Sequence, residues 1–128
     1  MSESEAGLFD LIAREDLAGL ESALAAGADP NQGDRWGMTA LAKAAIRGRA
    51  DLVACLLRNG AEPGRGDGAG NSPLMQACAR GHLEIARALL DAGADPVAAN
   101  KWGFSARDWS SWSDKAGEIQ ALLRERGL

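Results

Sequence analysis

The 128-residue sequence has no tyrosine, one histidine and two cysteines, and no apolar run that approaches the ~18 residues needed to span a membrane. Cys55 and Cys78 lack a metal-ligand spacing, which favours small core residues over a zinc site or a disulfide framework. His82 completes no catalytic pattern with serine or cysteine. The first residues, Met1 to Glu5, are acidic and polar, unlike a secretory signal. We therefore expect a cytoplasmic protein that is not an enzyme and has no cofactor, no metal and no membrane segment.

Charge is unevenly distributed along the chain, although the total is only −4. Residues 1–33 contain seven acidic residues and one base, whereas residues 34–128 contain eleven acidic residues and thirteen bases. A net negative charge argues against nucleic acid as the main partner, because nucleic-acid binding depends on Lys and Arg contacts to phosphates. The acidity belongs to one end of the chain.

An internal repeat runs through the sequence. The tetrapeptide Gly-Ala-Asp-Pro at Gly27 recurs at Gly93, and as Gly-Ala-Glu-Pro at Gly60, with a spacing of 33 residues each time. Three further series keep this period: Gly37, Gly70 and Gly103; Thr39, Ser72 and Ser105; and Leu24, Leu57, Leu90 and Leu123. A repeat of this length indicates a solenoid of small stacked units.

Residues 67–99 show what one unit predicts. Ser72 is a good N-cap, and Pro73 suits the first helical position because its missing N–H would have no partner there. The predicted order is a turn at 67–70, a helix at 74–80, a turn at Gly81, a second helix at 83–92 and a stop at Gly93. Helices this short are marginal alone, so stacking of neighbouring units must stabilise them.

These repeats resemble the ankyrin family. Residues 34–41 (Asp-Arg-Trp-Gly-Met-Thr-Ala-Leu) and 67–74 (Asp-Gly-Ala-Gly-Asn-Ser-Pro-Leu) are similar to the ankyrin opening Asp-x-x-Gly-x-Thr-Pro-Leu. Residues 81–86 (Gly-His-Leu-Glu-Ile-Ala) are similar to the start of the ankyrin second helix. The resemblance implies an all-α ankyrin-repeat solenoid of stacked helix-turn-helix units with short turn tips. It also implies a single domain, 1–128, with units 1–33, 34–66, 67–99 and 100–128, of which the first and last are caps.

The resemblance also implies where a partner binds, because ankyrin proteins usually bind with their turn tips and the exposed side of each first helix. The residues at the matching positions are Arg35, Trp36, Met38, Ile46, Arg47, Arg80, Lys101, Trp102, Phe104, Trp109 and Trp112. Trp and Arg are enriched at interaction hot spots, and the set contains no acidic residue. It predicts a protein partner with an apolar and acidic surface. Trp109 can equally belong to the core, since an apolar core residue is usual there.

A chain that only binds acts by masking, tethering or steering its partner. Small ankyrin chains are similar to kinase inhibitors and to bacterial immunity proteins that neutralise a toxin, and the tyrosine-free composition rich in Ala, Gly and Arg favours the immunity protein. An adaptor or scaffold subunit is the alternative. A nucleotide binder is more distant, because the G-x-G-x-x-A loop at 64–69 follows a proline rather than a strand. A nucleic-acid binder that uses the basic residues is equally distant.

Overall fold

The structure, a computed structural model, describes residues 3–127, with side chains described from residue 7 onward. Eight helices follow one another within these residues: α1 (Glu3–Ala13), α2 (Leu17–Ala25), α3 (Ala40–Arg47), α4 (Ala50–Arg58), α5 (Pro73–Ala79), α6 (Leu83–Asp91), α7 (Ala106–Ser110) and α8 (Ala116–Glu125). None of them is both long and apolar enough to cross a membrane.

The helices pack as four pairs in two layers. Each odd-numbered helix contacts the even-numbered helix that follows it. The odd-numbered helices α1, α3, α5 and α7 contact one another in chain order, and so do α2, α4, α6 and α8. This arrangement confirms the predicted all-α fold of stacked helix pairs.

Local chemistry sets the ends of the helices in the third pair. The Ser72 hydroxyl accepts a hydrogen bond from the Met75 amide at 3.2 Å, and Pro73 occupies the first helical turn. Gly81 follows α5 with φ +73°, and Gly93 follows α6 with φ +107°. Glycine adopts these left-handed conformations without the clash that a Cβ would bring. Both helices begin and end within one residue of the sequence prediction.

Small residues let the two layers approach each other closely. Ala44, Ala45, Ala77 and Cys78 are completely buried, and together with leucines such as Leu56 they belong to one hydrophobic core. Burial raises the pKa of the Cys78 thiol to about 12, because a thiolate would lose its hydration there. We therefore expect this thiol to be unreactive in the folded chain.

The first helix pair closes differently from the second and third. Glu15 occupies the position of Gly48 and Gly81 and has φ +56°, the one positive φ outside glycine among residues 3–127. Its carboxylate accepts hydrogen bonds from Arg49 and Arg47 of the next pair. The hydrogen bond from Arg49 makes the largest contribution to lowering the pKa of Glu15. A connection between neighbouring units thus lies at the residue whose backbone is strained.

Candidate protein-binding surface

The same side-chain geometry builds each turn tip. Asp34, Asp67 and Asn100 each place Oδ1 where it accepts from the backbone amides two and four residues later. The six distances lie between 2.9 and 3.0 Å, and the donors are Trp36 and Met38, Ala69 and Asn71, and Trp102 and Phe104. This is the hydrogen-bonded turn that Asp and Asn favour. Asp34 and Asp67 therefore shape the backbone of their turns.

Lys43 adds an ion pair to the second unit's turn. Its Nζ lies 2.9 Å from the Asp34 carboxylate. Burial raises the pKa of Asp34, but the hydrogen bonds from Lys43, Met38 and Trp36 outweigh it, so the pKa lies below its usual value. The charged form of Asp34 thus holds the turn that carries Trp36.

Hydrogen bonds between neighbouring turns fix the tips as a row. The Trp36 carbonyl accepts from the Gly68 amide at 2.9 Å, and the Ala69 carbonyl accepts from the Lys101 amide at 2.9 Å. Gly37 has φ +80°, and a Cβ there would lie 3.0 Å from the Gly68 nitrogen. The close approach of the tips therefore depends on glycine. The backbone positions from which the turn-tip side chains project are therefore fixed relative to one another.

Four large apolar side chains of the predicted set are exposed. The exposed fractions are 67% for Trp36, 63% for Trp102, 52% for Phe104 and 72% for Trp112. The guanidinium carbon of Arg35 lies 5.2 Å from the centre of the Trp36 ring, and Lys101 Nζ lies 4.9 Å from that of Trp102. Each base is thus held beside an indole by a cation–π contact.

Two predicted residues are less exposed than their turn-tip and helix-face positions suggest, and a third lies between core and surface. Met38 and Ile46 are half-buried. Trp109, which the sequence left between core and surface, is also half-buried: it packs on the core, and its ring centre lies 5.4 Å from that of Trp112. A cleft opens beside the two indoles, lined by Phe104, Arg107, Asp108, Trp109, Ser111, Trp112 and Gln120. The last unit therefore combines an exposed aromatic patch with a recess.

Positive charge is less uniform over the predicted set than the sequence suggests. Arg47 pairs with Glu15 at 3.4 Å, and Arg80 turns back to the Gln76 side chain at 2.8 Å. Arg35 and Lys101 form no ion pair with any residue that the structure describes. Within the predicted set, Arg35, Arg80 and Lys101 thus have no ion pair with a described residue, and two of these three bases, Arg35 and Lys101, stand at turn tips.

A second cleft lies between the first and second units, and its residues from the first unit were not among those predicted. The cleft is lined by Phe9, Asp10, Ile12, Ala13, Met38, Lys43, Ile46 and Arg47. Lys43 Nζ lies 5.3 Å from the Phe9 ring centre. Subtracting the period of 33 from Ile46 and Lys43 gives Ala13 and Asp10, so projection of the repeat into the first unit could have found them.

Comparison with known proteins identifies the repeat. Residues 8–100 match the model of a family described as ankyrin repeats in three copies. The fourth helix pair, α7 and α8, lies beyond the matched residues. No curated protein matches the chain significantly. Among residues 3–127, no three His, Cys, Asp or Glu side chains cluster in a way that could hold a metal ion.

Proposed function

Because the chain belongs to the ankyrin repeat family, we propose that it is a protein-binding module that docks a partner on its turn tips and on the exposed side of its first helices, without catalysis of its own. The observation that carries the proposal is the exposure of Trp36, Trp102, Phe104 and Trp112, each by more than half. Large exposed apolar side chains grouped on one part of a surface mark interaction sites. The proposal treats residues 1–128 as one domain.

The energetic argument is preorganisation. The turn tips that carry Trp36 and Trp102 are fixed by the hydrogen bonds that the Asp34 and Asn100 side chains accept from backbone amides. Backbone hydrogen bonds between neighbouring turns also fix them. A surface that is already ordered loses little conformational freedom on binding, so more of the contact energy becomes affinity. A central, desolvated tryptophan contributes about 2 kcal/mol or more to binding.

The proposed partner is a protein with an apolar and acidic surface. Its apolar part would cover the exposed aromatic rings, and its carboxylates would face Arg35 and Lys101, which have no ion pair with a described residue. Charge complementarity of this kind steers association and selects among partners. Neither nucleic acid nor a membrane is part of the proposal.

The finer proposal is inhibition, such as that of a bacterial immunity protein that masks a toxin in the cytoplasm. It is supported by the composition and by the rigid apolar surface. Two free buried cysteines suit a reducing compartment. The alternative is an adaptor, and the two separate clefts favour it. One cleft lies next to Phe9 and Ile46 and the other next to Trp109 and Trp112, so the chain can engage two proteins.

Affinity purification from the native cell, followed by mass spectrometry and binding measurements on the recovered protein, tests the proposal. Trp36→Ala and Trp102→Ala should each weaken binding by about tenfold or more, with an unchanged circular dichroism spectrum. Val97→Ala is the matched control, because Val97 is 54% exposed and lies outside the predicted set. Recovery of one enzyme or toxin favours inhibition, and recovery of a multi-subunit assembly favours the adaptor. Undiminished binding by both tryptophan variants would contradict the proposed surface.

A further inference from the structure

The row of turn tips contains a gap. Trp36 and Trp102 stand at equivalent positions of the second and fourth units, and Ala69 stands at that position in the third. If each unit advances by a helix-packing distance of about 10 Å, the two indoles are about 20 Å apart. We call this gap the notch: Trp36 and Trp102 are its walls, and Gly68 and Ala69 are its floor.

The floor and walls of the notch are held together by the backbone. Gly68 N–H donates to the Trp36 carbonyl on one side, and the Ala69 carbonyl accepts from Lys101 N–H on the other, both at 2.9 Å. Next to Trp36 the surface forms a recess lined by Arg35, Trp36, Gly37, Asp67, Gly68 and Ala69. The notch is therefore preformed, and a small residue leaves its centre open.

Both walls are positively charged. Arg35 lies over the Trp36 ring and Lys101 over the Trp102 ring, at 5.2 and 4.9 Å from the ring centres. Asp67, the residue before the floor, accepts hydrogen bonds from the amides of Ala69 and Asn71 and from the Asn71 side chain. Two bases that pair with no described acidic residue thus flank an apolar floor.

We propose that the notch seats an acidic segment of a partner protein, with an apolar side chain over Ala69 between the two indoles and carboxylates against Arg35 and Lys101. This inference rests on the proposed function and names the element that the partner must present. An indole on either side would shield part of the seated segment from water, which strengthens the charge contacts next to it. The cation–π contacts hold each base at the wall, so little side-chain freedom is lost on binding.

A short random peptide library displayed on phage, selected on the full chain, tests the notch. Ala69→Trp fills it with a residue that the neighbouring turns carry at the same position, so this variant should fold. Selected peptides should be acidic, and one of them, synthesised, should bind Ala69→Trp, Arg35→Glu and Lys101→Glu about tenfold or more weakly. Ala69→Ser leaves the notch open, and Arg87→Glu changes an exposed base on α6, in the other helix layer. Both controls should bind like the unmodified chain.

Three results would overturn the notch. They are selected peptides without acidic residues, a selected peptide that binds Ala69→Trp undiminished, and a selection that enriches no sequence lost by Ala69→Trp. A self-association of the chain that Ala69→Trp abolishes, measured by sedimentation, would identify a second copy as the occupant and also overturn it. A purified partner that is lost by Trp36→Ala but retained by Ala69→Trp would sink the notch and leave the proposed function standing.

Discussion

The third and fourth helix pairs follow the same 33-residue period, but equivalent positions that are buried in the third pair are exposed in the fourth. In α5 three side chains of the period are buried: Leu74, Met75 and Cys78. In the last unit the residues 33 positions later are exposed: Arg107, Asp108 and Ser111. Helix α5 packs between α3 and α7. Helix α7 packs against only one of the odd-numbered helices that the structure describes, namely α5. The 33-residue period thus fixes the positions of the turns. The residue types at the stacking positions, which are apolar in α5 and charged or polar in the last unit, determine which side of the stack is exposed to water.

The two units also differ in how the first helix ends. Gly81 stops α5 in the left-handed conformation, but Asp114 stands at the equivalent position of the last unit. Helix α7 ends after five residues at Ser110, and the chain continues with tighter bonds, such as that from the Ser113 amide to the Ser110 carbonyl at 3.0 Å. Without a glycine the last unit shortens its helix. This shorter helix carries Trp109 and leads directly into Trp112 and the aromatic cleft.

Substitution at the stacking position should have the largest effect. Leu74 is 1% exposed, so Leu74→Ala should lower the free energy of unfolding by about 2–5 kcal/mol through lost burial and a cavity. Its counterpart Arg107→Ala should change it by less than about 0.5 kcal/mol, because Arg107 is exposed. Urea denaturation of both variants measures the two values. Equal losses would show that the fourth pair is covered like the third.

The turn of the last unit should show the next largest effect. Asn100 is 7% exposed, accepts from the amides of Trp102 and Phe104, and donates to the Asn71 side chain at 2.9 Å. Asn100→Ala leaves these partners unsatisfied and should cost about 2 kcal/mol in denaturant unfolding. Asn100→Asp restores the acceptor that Asp67 supplies in the third turn, and should cost less. An alanine variant as stable as the aspartate variant would show that the side chain does not hold the turn.

The glycine stop should have a smaller effect. Gly81→Ala places a Cβ at φ +73° and 2.5 Å from the Ser113 hydroxyl oxygen, so we expect a loss of about 1–2 kcal/mol in unfolding free energy. Asp114→Ala, at the equivalent and exposed position, should be nearly neutral. Thermal and urea unfolding of the pair measure the difference. If Asp114→Ala costs as much as Gly81→Ala, the two units end their helices in the same way.

Much of the fold could be predicted from the sequence because the signals are local and repeated. Ser72, Pro73 and Gly81 act on the backbone next to them, so the bounds of α5 were predictable within one residue. The contacts between units could not be predicted in this way. The pairing of Arg47 with Glu15 joins residues 32 positions apart, and no spacing rule indicates which base meets which acid.

The candidate surface was predicted only in part, because its turn tips follow from local signals and its contacts between side chains do not. The exposure of Trp36 and Trp102 follows from their place at turn tips. Trp109 could not be assigned to core or surface, because an apolar core residue is usual at its position but the repeat does not show how deeply its indole is buried next to the exposed Trp112. Phe9 was not predicted, because the first unit lacks the turn motif found in the others. Without that motif the contact of Phe9 with Lys43 was not indicated.

The smallest expected effect is the acid sensitivity of the second turn compared with the fourth. The pKa of Asp34 is lower in the folded chain than its usual value, so its charged form favours folding above about pH 4, and this contribution is lost as the pH falls through the folded value. Asn100 fills the same place in the fourth turn and does not titrate.

Asp34→Asn should therefore reduce the loss of unfolding free energy between about pH 7 and about pH 3, and the turn should persist because asparagine already builds the fourth one. Part of the acid sensitivity should remain, since arginine hydrogen bonds also lower the pKa of Glu15 and Asp51. Urea titrations at both pH values measure the change, with Glu84→Gln as the control for removal of an exposed carboxylate. An unchanged pH dependence in Asp34→Asn would mean that its charge does not stabilise the turn that carries Trp36.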